Sequence, residues 1–245
     1  MLQATRGILL RSIKYGESSL IISVFTEQAG IQSYMMRGIR GKKTKNTSAS
    51  LLQPAALLDM IVYRQPLKNL QNIREYHAAF LYSTLHESVI KNSIALFTVE
   101  LLYKILPENG IALMLFEFSF NYFVRLDSIT PAESANFPLY FTIQCGRILG
   151  YDFNGDYSVS TPYLNIIEGG FSSHPATVPV SFTEAEISAL QALVNASGYE
   201  EVTTIAINGS SRMKLLEWYI AFLQHHVQYI GNLKSLAVIR SVFHS

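Results

Sequence analysis

The chain has 245 residues and a mass of 27.5 kDa, enough for a buried core in one large domain or two small ones. Apolar residues make up 49% and charged residues 15%. This excludes a disordered or acidic-tail protein, because such chains lack the apolar surface that offsets ordering entropy. The single cysteine, Cys145, excludes a disulfide framework and a thiolate zinc cage, and its apolar context favours a core position.

The formal net charge of +1 hides an asymmetry along the chain. Residues 1–80 carry 11 basic and 4 acidic side chains, a net charge of +7, whereas the other 165 residues carry 8 basic and 14 acidic side chains, a net charge of −6. Segregated positive charge predicts a polyanionic partner for the first segment, and a solvated basic face is the alternative.

Targeting and membrane segments are not expected. Arg6 and Arg11 interrupt the N-terminal residues before an apolar stretch of signal-peptide length develops. The most apolar later stretch, residues 111–126, contains Glu117 and Arg125 and is shorter than the roughly 20 residues that a spanning helix needs. We therefore expect a soluble, cytoplasmic protein in which this stretch forms a buried helix.

The first 75 residues have the pattern of β-structure. Apolar and β-branched runs alternate with turn-like residues, and a polar, basic loop at residues 38–50 interrupts them. The predicted strands are Thr5–Ser12, Ser19–Thr26, Ile31–Arg37, Leu57–Arg64 and Leu67–Glu75. Five short strands fit a small closed barrel of the OB type, which binds ligands on a strand face and in loops, and an SH3-like barrel fits nearly as well.

Helical periodicity replaces this pattern from His77 onward. Apolar residues recur at spacings of three and four up to Leu106, which predicts a first long helix. Further helices are predicted at residues 111–125 and 138–149. Because the helix at 111–125 is apolar on nearly all sides, we expect it at the centre of a helix bundle.

Residues 150–182 form an irregular excursion without sustained periodicity. A capping box of Thr183 and Glu186 begins the helix that follows. Ser210 or Ser211 is expected to cap the last long helix.

Together these elements predict an α+β protein of two domains. Residues 1–76 form a five-stranded OB-type β-barrel that binds nucleic acid, and residues 77–245 form an all-helical C-terminal domain. The irregular insertion at about 150–182 belongs to the helical domain.

Sequence motifs for catalysis are missing. None of the six histidines falls in a metal-ligand spacing, and no nucleophile elbow occurs. The segment 38–44 lacks the first glycine of a phosphate loop, and the Asp152–Asp156 turn has Tyr163 where a calcium loop needs glutamate. We therefore expect a protein that is not an enzyme and carries no cofactor or metal.

Nucleic-acid binding fits the first segment better. Single-strand binding needs positive charge along the backbone and planar side chains on which bases stack. Four aromatic side chains, Tyr15, Phe25, Tyr34 and Tyr63, are interleaved with the basic residues; Phe25 is expected in the core, and Tyr34 fits either the core or the surface. The candidate DNA-binding residues are Arg11, Lys14, Arg37, Arg40, Lys42, Lys43, Lys45 and Arg64. The loop at 38–50 is interpreted as a phosphate-contacting arm, with an ordinary solubilising loop as the alternative.

Several short motifs resemble the RecO family of recombination mediators. The resemblance covers essentially the whole chain in order, and its strongest motifs lie in the first 65 residues. The matching segments are Thr5–Arg11, Tyr15–Ser18, Val24–Glu27, Gly30, Gly38–Gly41, Leu52–Pro54, Leu57–Tyr63 and Leu233–Leu236.

This resemblance implies an N-terminal OB-fold, a helical C-terminal domain and a non-enzymatic role in DNA repair and recombination. Such proteins bind single- and double-stranded DNA, anneal complementary strands and help to load RecA onto strands coated by the single-stranded-DNA-binding protein. The implied partners are RecR and the C-terminal tail of the single-stranded-DNA-binding protein, and the implied location is the nucleoid. The positions matching the family's basic stretch are Arg11, Lys14, Arg37, Arg40 and Lys42, extended by Lys43 and Lys45.

One feature departs from the family pattern. Many members carry two Cys-x-x-Cys pairs that form a zinc module, but the segment 150–182 of this chain has no cysteine. Ser172-Ser173-His174 stands where a pair is expected. Because no thiolate is available, we predict that the protein binds no zinc.

Two other functions stay open from the residues alone. An OB-fold RNA-binding protein would use the same phosphate and stacking contacts, and a protein-only adaptor would use the same lysines to bind an acidic tail. In the helical domain, Arg212, Lys214 and Trp218 are candidates for binding an acidic, apolar tail. The alternative is that Trp218 packs in the core.

Overall fold

The computed structural model describes residues 1–37, 52–65, 68–106, 110–176, 180–228 and 230–244. Its first five strands are β1 (Leu2–Tyr15), β2 (Ser19–Thr26), β3 (Gly30–Met36), β4 (Leu57–Tyr63) and β5 (Leu70–Phe80). They close into a barrel in the order β1-β2-β3-β5-β4, with β3 and β5 parallel and the other neighbours antiparallel. The predicted five-stranded OB-type barrel is therefore confirmed.

The fifth strand differs most from its predicted bounds. It ends at Phe80 rather than at residue 75, because His77 pairs with Asp59 and Ala78 pairs with Leu58 of β4. The prediction that helical structure begins at His77 is therefore wrong, and the first helix starts at Val89. Cross-strand hydrogen bonds to β4 determine the structure of residues 77–80, and the spacing of apolar residues along the chain gives no information about such bonds.

Apolar side chains from all five strands fill the barrel. On β2 the alternate residues Leu20, Ile22 and Val24 point inward, as the two-residue period of a strand requires. The intervening Phe25 points outward and is fully buried as well, because its ring meets the ring of Phe116 at 5.4 Å in an edge-to-face contact. The expectation that Phe25 lies in the core is thus confirmed, although it packs on the outside of the barrel.

A β-bulge in β1 reverses the facing of the residues after it. Leu9 pairs with Val24, and the next paired residue, Arg11, lies opposite Ser23, so Leu10 is the extra residue. Leu9 and Leu10 are consequently both buried. A bulge of this kind changes the direction of the following side chains and thereby places Arg11 on the outer surface.

Seven α-helices lie among the described residues. They are α1 (Val89–Ile105), α2 (Leu113–Ser128), α3 (Phe137–Ile148), α4 (Glu184–Asn195), α5 (Tyr199–Thr204), α6 (Gly209–His226) and α7 (Ser235–His244). Within these ranges no helix combines the length and apolar character needed to cross a bilayer.

The second helix packs against the barrel rather than at the centre of a helix bundle. Besides the Phe25–Phe116 contact, Glu117 of α2 accepts a hydrogen bond from Arg6 of β1. Residues 1–87 together with 95–128 form one compact unit, and 88–94 together with 129–245 form the second. The division into domains at residue 76 stays a prediction.

The predicted capping box begins α4. Thr183 Oγ1 accepts a hydrogen bond from the Glu186 N–H at 3.2 Å, and Glu186 Oε2 accepts one from the Thr183 N–H at 2.8 Å. The predicted cap of the last long helix is wrong by two or three residues. Asn208 caps α6, since its Oδ1 accepts a hydrogen bond from the Ser211 N–H at 2.8 Å.

The excursion at 150–182 contains a short hairpin of β6 (Tyr163–Asn165) and β7 (Gly170–Ser172). Aromatic packing holds it, because the ring of Phe153 lies 5.2 Å from that of Phe171 and 5.9 Å from that of Trp218. Cys145 is fully buried, and burial raises the pKa of its thiol, which confirms it as a core residue.

Candidate nucleic-acid interface

The outer surface of β1, β2 and β3 forms a continuous face of small, apolar and basic residues. Ile13 pairs with Ile21 and Ile21 pairs with Met35, so these side chains form one row across three strands. We call this surface the strand face, and its residues are Arg11, Ile13, Tyr15, Ser19, Ile21, Ser23, Ser33, Met35 and Arg37, the residue that follows β3.

The strand face combines free positive charge with accessible apolar and aromatic surface. Ile13 is 44% exposed and Tyr15 is 55% exposed, and Arg11 and Arg37 are exposed at opposite sides of the row. Neither arginine has an ion-pair or hydrogen-bond partner for its side chain within the described ranges. Guanidinium groups can therefore meet phosphates while the Tyr15 ring offers a surface for a base.

The other predicted basic residues are distributed differently. Lys14 lies opposite Leu20 and is exposed at the mouth of the barrel, beside the strand face. Arg64 follows β4 at the opposite end of the barrel, where Tyr63 pairs with Leu2. Four predicted residues, Arg40, Lys42, Lys43 and Lys45, lie outside the described residues.

Among the predicted aromatic residues, Tyr15 is the one that lies on the strand face. Tyr34 is only 2% exposed inside the barrel, and this burial raises its pKa to about 12. Tyr63 is half exposed near Arg64, at the other end of the barrel.

Two arginines of the barrel are already neutralised. Arg6 donates to Glu27 through Nε at 3.1 Å and Nη2 at 3.0 Å, and it also contacts Glu117. These hydrogen bonds lower the pKa of Glu27. Arg74 Nε lies 3.2 Å from Glu75 Oε1. The positive charge available to a ligand is therefore concentrated at fewer residues than the net charge of the segment indicates.

The three residues predicted to bind a partner have internal contacts. Arg212 donates from Nε to Asn136 Oδ1 at 2.8 Å and from Nη2 to the Ile207 carbonyl at 2.6 Å. Trp218 is 4% exposed and stacks on Phe222 with 6.0 Å between ring centroids. The core position of Trp218 is thus observed, and Lys214 is the partly exposed cation of the three.

The Lys214 ammonium forms an ion pair with the Glu186 carboxylate. Its Nζ lies 2.8 Å from Glu186 Oε2. Burial alone would raise the pKa of Glu186, but the hydrogen bonds from Lys214, the Thr183 N–H and Ser211 lower it to about 2. The folded pKa lies below the unfolded value, so the carboxylate stabilises the fold above about pH 4.5 and loses this effect as pH falls toward 2.

Replacing Lys214 with glutamine is expected to raise the pKa of Glu186 from about 2 toward its ordinary value. The reason is that the hydrogen bond from Lys214 lowers this pKa more than any other contact does. Carboxyl chemical shifts followed through an NMR pH titration measure this change. Lys234→Gln is the charge-matched control and should leave the titration of Glu186 unchanged. An unaltered pKa in Lys214→Gln would contradict the ion pair.

Ser172, Ser173 and His174, which stand where the family pattern predicts a cysteine pair, take part in local hydrogen bonds. Ser172 Oγ accepts from the His174 N–H at 2.9 Å, and Ser173 Oγ lies 3.0 Å from His174 Nδ1. Across the described ranges, no three potential metal ligands of the histidine, cysteine, aspartate or glutamate type come together. The absence of bound zinc stays a prediction.

A five-stranded OB-type barrel with a basic and aromatic strand face is the arrangement of single-strand-binding OB-fold proteins. Comparison with known proteins narrows this class. Residues 1–82 match the family model described as Recombination protein O N terminal, and residues 86–237 match Recombination protein O C terminal. The chain therefore belongs to the RecO family of DNA repair proteins, which agrees with the expectation that it is not an enzyme.

Relatives named DNA repair protein RecO are similar over nearly their whole length. The protein of Azobacteroides pseudotrichonymphae is 30% identical over 246 residues, covering 99% of this chain and 100% of the relative. That of Bacteroides fragilis is 28% identical over 243 residues, with 99% and 100% covered. That of Flavobacterium psychrophilum is 27% identical over 239 residues, with 98% of each chain covered.

Sequence reasoning missed the apolar row of the strand face. Ile13 lies just beyond the predicted end of the first strand, and its pairing with Ile21 depends on the bulge after Leu9. The alternation of Ile13 and Tyr15 with the polar Ser12 and Lys14 was an available signal, but without the register it does not show which face of the strand is buried.

Proposed function

We propose that this protein is a recombination mediator that binds single- and double-stranded DNA through the strand face. It anneals complementary strands and assists RecA loading onto DNA coated by the single-stranded-DNA-binding protein. RecR and the tail of the single-stranded-DNA-binding protein are its proposed protein partners, and the nucleoid is its proposed location. Membership of the RecO family favours DNA over RNA as the ligand.

The observation that carries the proposal is a pair of arginines, without ion-pair partners among the described residues, beside an exposed aromatic ring. Arg11 and Arg37 border the row of Ile13, Ile21 and Met35, and Tyr15 extends the same face. A strand crossing this face would meet positive charge along its backbone and a planar side chain under its bases. Four further basic residues follow Arg37 closely in the chain and add to the proposed charge: Arg40, Lys42, Lys43 and Lys45.

Fluorescence anisotropy of a labelled single-stranded oligonucleotide at increasing salt tests the proposal. If about five phosphates are neutralised, the logarithm of affinity should fall with the logarithm of salt concentration at a slope near −3 to −4. The double variant Arg11→Gln/Arg37→Gln should weaken binding at least about tenfold at low salt and reduce the slope by about 1.4, since each lost phosphate contact removes about 0.7.

Arg74→Gln is a suitable control. It removes one positive charge from the same barrel, but Arg74 is exposed on β5 and paired with Glu75, so its loss should leave the slope nearly unchanged. Equal effects of both substitutions, or a slope near zero for the unmodified protein, would contradict binding through the strand face.

A strand-annealing assay tests the mediator role. Complementary DNA strands coated with the cognate single-stranded-DNA-binding protein should anneal faster with this protein, and Arg11→Gln/Arg37→Gln should slow the reaction. Addition of RecR and RecA then tests the loading step. Binding without acceleration of annealing would indicate a passive binder, and tighter binding to a matched RNA strand would favour the RNA-binding alternative.

A further inference from the structure

A second concave site lies at the end of the barrel opposite Lys14 and Arg37. Within the described ranges, strand β3 pairs with β5 over Ser33–Met35, and residues 30–32 at the start of β3 have no pairing on that side. A cleft of about 630 Å³ enters the barrel there. We call it the barrel cleft; its volume lies within the range of small-molecule sites, roughly 300–1,000 Å³.

A buried phenol reaches the barrel cleft from the core. Tyr34 is almost completely buried among the apolar residues of the barrel and lines the cleft. Because Tyr34 lines the cleft, its hydroxyl can form a hydrogen bond with a polar atom of a ligand there.

The rim of the cleft carries two positive charges, Arg64 and Lys68, which lie between β4 and β5 in the chain. The buried amide of Gln71 donates to the carbonyls of Gln65 at 2.8 Å and Lys68 at 2.6 Å, and its Oε1 accepts from the Gln65 N–H at 2.9 Å. These hydrogen bonds hold both ends of the connection between β4 and β5. Arg64 and Lys68 are exposed on it and line the cleft.

The remaining lining combines aromatic rings and amide groups with aliphatic and hydroxyl side chains. Tyr63 and Tyr103 each offer a half-exposed ring, and Asn69 and Gln32 contribute amide groups. No acidic residue occurs among the described residues that line the cleft. Cations suit a phosphate, rings suit the face of a base, and amides suit the edge of a base.

We propose that the barrel cleft binds one nucleoside monophosphate, with the phosphate between Arg64 and Lys68 and the base turned toward Tyr34. The ligand is either a free nucleotide or a single unstacked nucleotide of a bound DNA strand. The second source rests on the proposed function, because it requires that the protein binds single strands. The site is separate from the strand face and gives Arg64 a role distinct from that of Arg11 and Arg37.

Titration of the isotopically labelled full chain with deoxythymidine monophosphate, followed by NMR, tests the site. We expect shifts at Tyr34, Lys68 and Gln71. Thymidine and inorganic phosphate should each bind at least about tenfold more weakly, because each offers only part of the contacts. Arg64→Gln/Lys68→Gln should weaken the nucleotide at least about tenfold and Tyr34→Phe about three- to tenfold. Arg11→Gln/Arg37→Gln is the control that should leave nucleotide binding unchanged.

The same cleft variants, tested with an oligonucleotide, distinguish the two sources. If Arg64→Gln/Lys68→Gln also weakens oligonucleotide binding, the strand supplies the nucleotide; if oligonucleotide binding is unchanged while the mononucleotide binds, the ligand is free. The proposal would be overturned if the cleft residues show no shifts with the mononucleotide and neither Arg64→Gln/Lys68→Gln nor Tyr34→Phe changes the affinity for the oligonucleotide. It would also be overturned if thymidine binds as tightly as the mononucleotide. If the unmodified protein binds no oligonucleotide, the proposed function is refuted. The mononucleotide titration would still show whether the cleft binds a nucleotide.

Discussion

Substitution of Asp127 by asparagine is expected to destabilise the protein by about 3 kcal/mol or more. The carboxylate is buried at the end of α2 and accepts hydrogen bonds from the backbone N–H groups of Ser83, Thr84 and Leu85 at 2.7–3.1 Å. Thr84 Oγ1 adds a bond to the backbone carbonyl of Asp127 at 2.6 Å. Asparagine keeps the shape but loses the negative charge that strengthens these bonds, and in place of Oδ2 it sets an amide donor against the Ser83 N–H, which Oδ2 accepts at 3.0 Å.

Chemical denaturation at neutral pH measures this effect. Asp156→Asn is the matched control, because Asp156 is exposed and its carboxylate has no hydrogen-bond partner within the described residues; it should change the free energy of unfolding by less than about 0.5 kcal/mol. Similar values for the two variants would show that the Asp127 carboxylate does not hold the segment after β5.

The same contacts predict how stability depends on pH. Burial alone would raise the pKa of Asp127, but the hydrogen bonds from Ser83, Thr84 and Leu85 hold it below its usual value. Because the folded pKa is depressed, the stabilisation is present above the unfolded pKa, about 3.9. It is lost as pH falls through the folded pKa, so Asp127→Asn should flatten the acid limb of the stability profile.

Gly30→Ala is expected to cost about 3 kcal/mol, from backbone strain and from steric overlap. Gly30 has a φ of +64°, where an L side chain is strained, and a Cβ there would overlap the carbonyl oxygen of Gly110. The first residue of β3 lies against the backbone that precedes α2, and only a residue without a side chain permits this approach.

Gly16→Ala separates the two contributions. Gly16 has a similar φ of +60°, but nothing lies within 4 Å of a Cβ placed on it. Its substitution should therefore cost only the conformational strain, about 1 kcal/mol. Thermal and denaturant unfolding of both variants measure the difference, and equal losses would contradict the close approach of Gly30 to Gly110.

Local patterns were sufficient for much of the barrel and for one helix start. The second strand has the predicted bounds, Ser19–Thr26, because a β-branched run lies between two short turns. The capping box of Thr183 and Glu186 was equally readable, since it depends on residues three apart in the chain.

Local patterns failed where distant segments meet. The last residues of β5 follow the pairing of His77 with Asp59, and their helical spacing has no effect on the structure. Likewise α2 is apolar enough for a bundle centre, yet its Phe116 packs against Phe25 of the barrel. Amphipathic periodicity shows that a face is buried but does not identify the element that buries it.

The sequence by itself determined the class of fold, the segregation of charge and the membership of the RecO family, because these depend on composition and on residues close together in the chain. The tertiary structure alone decided which charges are free and where they lie. The bulge at Leu10 turned Arg11 outward, Glu27 and Glu117 neutralised Arg6, and the barrel separated Arg64 from Arg37. Strand register and barrel closure set these positions, and neither is encoded in any single stretch of the chain.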